Sequence, residues 1–305
     1  MVYIQLIVMV LIWSFSFIVV DIGLEFITPM SLALHRFVLA SIIFILIRGY
    51  STFTNHRKKD TNLPLTEFNV SKNQFLLILA ASFSGISLFF FSQYTSIQFI
   101  GPSLPALFVC LLSPVLISIL ALIFFNERLN KFKVVGFIIA SIGAFLLITA
   151  GDISVLLPQS VNFLGYFYAL LTPILWSIYS TITKKITKNL DTFKVLEITT
   201  YLGTIELFFF TLFMNELHIF LQFFLNPIVL FSSLYLGLGC HIIGYFIWND
   251  SQKKSESLKA ASFLYIEPFI TLFLSFLFQR SEVIVPLNIV GGVIVLVAVL
   301  IINYY

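Results

Sequence analysis

The chain alternates long apolar runs with short polar interruptions, and the runs have the length at which an α-helix crosses the hydrocarbon core of a bilayer, roughly 20 residues. Ten segments meet this ruler, near 3–20, 29–47, 74–92, 100–124, 134–149, 162–182, 194–214, 226–247, 257–278 and 284–302. Their ends carry local signals. Pro29, Pro227 and Pro286 stand where a first helical turn tolerates a missing N–H, and Asn126, Gly151 and Asn249 mark exits. One longer hydrophilic stretch, 48–73, carries STFTNHRKKDTNLP and is expected to be a loop without folded structure. The pattern therefore predicts an all-α integral membrane protein with ten transmembrane helices.

The apolar pattern is also written twice. SPVLISILALIFFNERLNKFKVVGF, from Ser113, and EPFITLFLSFLFQRSEVIVPLNIVGG, from Glu267, share an early proline, a charged turn and a glycine-opened second run. At an offset of 154 residues Ser103, Leu104, Ala106 and Pro114 fall on Ser257, Leu258, Ala260 and Pro268. Leu and Phe matches are cheap in such a composition, but a shared proline inside an apolar run is not. The chain divides into a five-helix repeat at 1–150 and a second at 151–305. An odd number of helices per repeat sends the second copy into the membrane from the opposite side, so the repeats are expected to be inverted about an axis in the membrane plane. Ile12-Trp13-Ser14 and Leu175-Trp176-Ser177 echo each other at the start of the two halves. The turn Asn126-Glu127-Arg128 would then lie inside, and its counterpart Arg280-Ser281-Glu282 outside.

Composition agrees with the bilayer and excludes a water-soluble globule: 59% of residues are hydrophobic, 10% charged, and the mean hydropathy is +1.04. The first run begins at Val2 without a basic leader or a small-residue cleavage site, as a spanning helix rather than a removed signal peptide does. Every one of the 17 Lys and Arg except Arg36 and Arg280 falls on one side of the predicted alternation. Short basic loops stay cytoplasmic, so both termini are expected in the cytoplasm and the protein in the plasma (inner) membrane. The two cysteines, Cys110 and Cys240, lie in apolar runs and suggest packing residues rather than a disulfide or metal site.

Candidate chemistry lies where polar groups interrupt apolar helices. Pro114 removes a helical hydrogen bond and is expected to free the Cys110 carbonyl; Pro268 does the same for Leu264 and, less tellingly, Pro173 for Ala169. Corresponding interrupted helices in two halves point to a transport site, against the plainer possibility that the prolines only bend helices. Intramembrane charges cost about 3 kcal/mol each on insertion scales unless paired or wet. Glu267, about ten residues into its span and next to Pro268, is the leading candidate for proton coupling, against a structural carboxylate bonded to Arg36 or Tyr265. Arg36 either pairs with Glu206 or Glu267 or receives a substrate carboxylate. Glu197 and Glu206, nine residues apart, face opposite sides of one helix. Trp13, Trp176, Tyr179, Tyr245 and Tyr265 carry N–H or O–H groups suited to a cavity, whereas Tyr94 and Trp248, aligned across the repeats, suit opposite membrane interfaces. His241 is included among the cavity candidates, although it and His35 suit packing better than metal ligation, and no metal or other cofactor is called for. Gly136, Gly143, Gly291 and Gly292 permit close helix packing, within the bundle or between subunits. Walker, dinucleotide and nucleophile-elbow motifs are absent, and nothing supports nucleic-acid binding.

Trp13-Ser14, Arg36 after Pro29, Pro114 through Glu127 to Gly136 and Gly143, Trp176, Tyr245 and Trp248, and Glu267-Pro268 through Glu282 to Gly291 together resemble the drug/metabolite transporter superfamily, specifically its EamA-type members. The resemblance covers nearly the whole chain. It departs at Asn126 and Ser281, where the family often has glycine, and in one extra residue between proline and glutamate in the second unit. It implies a basket-shaped bundle whose central cavity is lined by helices one, three, four, six, eight and nine, and export of small metabolites such as amino acids. The expected function is secondary-active transport by alternating access, with a small-molecule substrate, the lipid bilayer and a proton or sodium coupling ion as partners. The alternatives are a transporter of phosphorylated or nucleotide-linked sugars, which wants more basic groups at cavity depth than Arg36, and a membrane sensor or receptor. A membrane enzyme lacks its clustered catalytic groups.

Overall fold

Hydrocarbon offers backbone N–H and C=O groups no water, so an apolar chain satisfies them inside helices, and each predicted apolar segment overlaps a helix in the computed structural model. The structure describes residues 2–58, 70–125, 131–152, 154, 162–254, 257–280 and 285–304. In chain order the helices are α1 (Val2–Leu24), α2 (Pro29–Lys58), α3 (Lys72–Ile100), α4 (Ser103–Phe125), α5 (Lys131–Thr149), α6 (Phe163–Thr187), α7 (Thr192–Phe213), the short α8 (Leu217–Phe223), α9 (Pro227–Lys254), α10 (257–277) and α11 (Pro286–Tyr304). Among the described residues, α1, α2, α3, α4, α6, α7 and α9 hold the seven helices long and apolar enough to cross a membrane. Their outer faces are studded with large apolar side chains, Phe213 being 82% and Phe231 72% exposed, as lipid-facing residues are. The protein is a multi-pass helical membrane protein.

Local chemistry starts these helices where it can. The Ser71 hydroxyl accepts the Gln74 N–H while the Gln74 side chain accepts the Ser71 N–H. Asp191 caps α7, and Asn226, followed by Pro227, caps α9. Two connections differ from expectation. Helix α2 continues through residue 58, into the stretch expected to be loop, and α8 forms between two predicted spans. The turns at 126–130 and 281–284 lie outside the described residues.

The two matched prolines act differently. Pro114 sits inside the unbroken α4. Pro268 follows a tight 3₁₀ turn, Ser262–Ile266, whose last bond runs from the Glu267 N–H to the Leu264 carbonyl. The expected free Leu264 carbonyl is thus satisfied, because tightening the helix to i→i+3 gives it a new donor. The Ala169 carbonyl before Pro173 likewise accepts the Thr172 hydroxyl at 2.7 Å.

Two interruptions gave no signal in the sequence. Helix α3 turns π-helical at Phe83–Leu88 and α9 at Tyr235–Tyr245. The 154-residue offset carries the first of these to 237–242, inside the second. Elsewhere α5 and α11 pack backbone to backbone: a Cβ on Gly143 would stand 2.8 Å from the Val295 nitrogen and 2.9 Å from the Gly291 carbonyl oxygen. That close approach is within the chain.

Candidate functional site

Where α1, α2, α3, α4, α6, α9 and α10 converge they line a partly open cavity whose space between atoms, adjoining solvent included, is about 480 Å³. One wall is aromatic. Trp13 projects from α1, and its indole N–H donates to the Cys240 carbonyl at 2.9 Å. Only glycine fits beneath it, since a Cβ on Gly244 would lie 2.2 Å from the indole nitrogen. Trp176 of α6 meets Trp13 edge-on, at 5.4 Å and 86°, and Tyr245 of α9 closes the corner 5.2 Å from Trp176. The Tyr245 hydroxyl donates to the Gly85 carbonyl at 3.2 Å, inside the π segment of α3. Gly85 itself makes room for Tyr179, whose ring a Cβ there would meet at 2.1 Å.

Arg36 supplies the positive pole. It is 2% exposed, and its guanidinium donates to the Tyr94 hydroxyl at 2.6 Å and the Leu236 carbonyl at 2.7 Å. It also lies over the Phe90 ring, 4.2 Å from the centroid. Phe90 and Tyr94, one helical turn apart on α3, thus present one face to it. Its Nε is buried without a partner. Neither expected ion pair forms: Arg36 bonds no carboxylate among the described residues, because Glu206 is turned toward α3 and held by Ser82 and Ser87.

Glu267 is the opposite pole. It opens the last α-helical segment of α10, is 3% exposed, and receives the Cys110 thiol of α4 as a hydrogen-bond donor. Its second carboxylate oxygen is buried without a partner. The alternative of a carboxylate tied to Arg36 or Tyr265 is corrected here, the Tyr265 hydroxyl being itself unpartnered. Arg36 and Glu267 therefore line one cavity without pairing with each other.

Trp13, Arg36, Trp176, Tyr245 and Glu267 thus share the cavity. Pro114, Tyr179, His241, Tyr265 and Pro268 are not in its lining. Tyr179 accepts the Asn249 amide at 2.8 Å behind the aromatic wall, and His241 bonds Thr200 at 2.8 Å. Tyr94 and Trp248, expected at membrane interfaces, are fully buried. Trp248 lies tilted against Trp176, 5.4 Å between ring centroids, and donates to the Ser180 hydroxyl, because a polar partner was available inside the bundle. Sequence reasoning also missed both cysteines, Cys110 and Cys240, as lining residues. No grouping of three His, Cys, Asp or Glu able to hold a metal occurs among the described residues.

A helical multi-pass protein with a two-poled cavity among its helices has the form of a membrane transport protein. The model of the EamA-like transporter family matches residues 1–149 and 163–304, and the chain belongs to that family. It is 24% identical over 292 residues to an uncharacterized transporter of Archaeoglobus fulgidus, covering 95% of this chain and 92% of that one. It is 23% identical over 300 residues (98% and 92% covered) to a protein of Streptantibioticus cattleyicolor named a probable terminal-alkyne amino-acid exporter. A probable amino-acid metabolite efflux pump of Salmonella typhimurium is 24% identical over 297 residues, 94% of this chain and 89% of the pump. A solved crystal structure shares the fold with a TM-score of 0.60 at 14% identity, over 99% of this chain and 96% of the other.

Proposed function

We propose that this protein is a secondary-active exporter of amino acids or closely similar small metabolites, working by alternating access through the central cavity. The carrying observation is the pair of opposite buried poles, Arg36 and Glu267, which line one cavity and have no ionic partner among the described residues. A buried charge without a counterion is costly, so a ligand bringing both charges relieves both poles at once. An α-amino acid does this, its carboxylate meeting Arg36 and its ammonium meeting Glu267 against the aromatic wall of Trp13, Trp176 and Tyr245. The names of the two amino-acid-exporting relatives support the same substrate class.

Ten spanning helices in two inverted five-helix repeats, 1–150 and 151–305, suit the mechanism, because related halves can exchange roles across the membrane. Support comes from the family match to both segments and from the corresponding π segments of α3 and α9. The basic loops support cytoplasmic termini, and the scheme places the protein in the plasma membrane. Glu267 is the proton-coupling group of this scheme: substrate ammonium and proton compete for one carboxylate.

Uptake of a pool of amino acids and small metabolites into proteoliposomes, with and without an imposed pH gradient and read by mass spectrometry, tests the proposal. Gradient-dependent accumulation of amino acids, lost in Arg36→Gln, is expected. Absence of flux in folded protein overturns the transport reading, and normal flux at every gradient in Glu267→Gln overturns the coupling role.

A further inference from the structure

We propose that Glu206, with Ser82 and Ser87, forms a proton-binding site outside the central cavity, and that its occupancy reaches the cavity through the π-helical turn of α3. The coupling part rests on the transport reading above; proton binding does not. Glu206 lies well inside α7, between the exposed apolar residues Ile205, Phe208 and Phe209 on the lipid side and α3 on the other. Ser82 donates to its Oε1 at 2.6 Å, and Ser87 donates to its Oε2. Both serines are fully buried.

The π turn makes this arrangement possible. Residues five apart on an α-helix lie about 140° apart and cannot reach one carboxylate together. An i→i+5 turn brings them to nearly the same face, and Phe83–Leu88 is such a turn. Two hydroxyls are thereby gathered on one carboxyl group, with no cation among the described residues.

The donors and acceptors suit both protonation states. Ser82 has one O–H and two acceptors in reach, Glu206 Oε1 at 2.6 Å and the Leu79 carbonyl at 2.9 Å. With Glu206 ionised, Ser82 and Ser87 each donate to one carboxylate oxygen. When a proton binds, an O–H bond forms at Oε1 and donates to the Ser82 oxygen, the Ser82 O–H turns to the Leu79 carbonyl, and Ser87 stays on Oε2. Release reverses each step. Every group is satisfied either way, which a carboxylate fixed by an arginine does not allow.

The contrast with Glu197 on the same helix is direct. Glu197 is paired with Arg48 at 3.2 Å and accepts the Tyr201 hydroxyl at 3.0 Å. Titratable groups on the helices packed against α7 are directed elsewhere. Arg48 is turned to Glu197, Arg36 to Tyr94 and the Leu236 carbonyl, His35 to the Phe224 carbonyl, His241 to Thr200 and Tyr179 to Asn249. Among the described residues, Ser82 and Ser87 are the side chains that bond the Glu206 carboxyl.

The route inward is short. Gly85 lies within the same π turn as Ser87; its carbonyl accepts the hydroxyl of the cavity-lining Tyr245, and its missing Cβ seats Tyr179. Neutralising Glu206 weakens the bond that Ser87 makes to it from within this turn, and the turn's adjustment moves the support of the aromatic wall.

Of the three tryptophans, Trp13 and Trp176 belong to that wall and Trp248 packs against both, so intrinsic fluorescence reports on it without added substrate. The test is a pH titration of fluorescence in lipid nanodiscs, in a Glu267→Gln background that silences the cavity carboxyl. Infrared detection of a protonated-carboxyl band follows the same samples. We expect one fluorescence step accompanied by the band, both lost on adding Glu206→Gln. Ser87→Ala, which keeps the carboxyl and disturbs the fold least, is expected to move the midpoint by about one pH unit. A step that survives Glu206→Gln, a midpoint unmoved in Ser87→Ala, or the absence of any band that depends on Glu206 overturns the site. A Glu206-dependent band without a fluorescence step overturns the link to the cavity. Because neither readout needs substrate, lack of flux in proteoliposomes overturns the transport reading alone.

Discussion

Arg36 and Arg280 each make two directed hydrogen bonds, and the partners are of opposite kinds. Arg36, 2% exposed, is held by the neutral Tyr94 hydroxyl and Leu236 carbonyl. Arg280, with a side chain 20% exposed beyond the end of α10, binds Asp21 and Glu25 at 2.5 Å each and ties the end of α1 to that of α10. Partial burial works against the Arg280 charge, yet the carboxylates of Glu25 and Asp21 hold its pKa above the ordinary arginine value. Near water the protein supplies a counterion, although solvent screens the pair. In the cavity, where a counterion matters most, Arg36 is bonded to no carboxylate among the described residues. A clamp and a ligand-receiving group thus differ in what the fold leaves unfilled.

The sharpest way to break the comparison is to neutralise each arginine. Arg36→Gln is expected to weaken binding of the amino acid that shows flux by at least about 30-fold, the ~2–5 kcal/mol scale for truncating one side of a buried charge contact. Titration of purified protein by tryptophan fluorescence measures it. Arg36→Lys keeps the charge but loses the planar fork that bridges Tyr94 and Leu236, and a smaller loss of about tenfold is expected in the same titration. Tyr94→Phe removes one neutral partner and is expected to cost about 1 kcal/mol, read as a several-fold affinity change or a lowered Tm. Arg280→Gln should have the least effect: binding unchanged and stability lowered by no more than about 1 kcal/mol, with the difference shrinking as salt is added. If Arg280→Gln weakened binding as much as Arg36→Gln, the distinction between clamp and ligand site would fail.

Much of the fold is legible because its determinants are local. Segment length and apolar content place a helix at each predicted segment, and Asn226-Pro227 and Asp191 mark helix starts through bonds to their own next turn. The end of α2 escaped because a polar sequence can extend a helix beyond the hydrocarbon, so hydropathy falls before the helix does. The site is legible in part. Trp13, Arg36, Trp176, Tyr245 and Glu267 stand out as polar or amphipathic groups in apolar runs and meet in one cavity. Cys110 and Cys240 do not stand out, since a thiol passes for an ordinary apolar packing residue until a carboxyl or an open space lies beside it. Tyr94 and Trp248 misled because an amphipathic ring suits a membrane interface and a buried polar partner equally well.

The sequence by itself determined that this chain is a bundle of apolar helices, where those helices lie, how its basic loops are distributed and which intramembrane residues are costly enough to need a reason. These follow from transfer free energy and from hydrogen bonds closed within a few residues. Only the tertiary structure decided that Arg36 faces neutral partners, that Glu206 belongs to two serines gathered by a π turn, and that Pro114 and Pro268 shape their helices differently. Such outcomes depend on the rotation and close packing of helices distant in sequence, where one inserted π turn redirects a whole face and no local pattern records it.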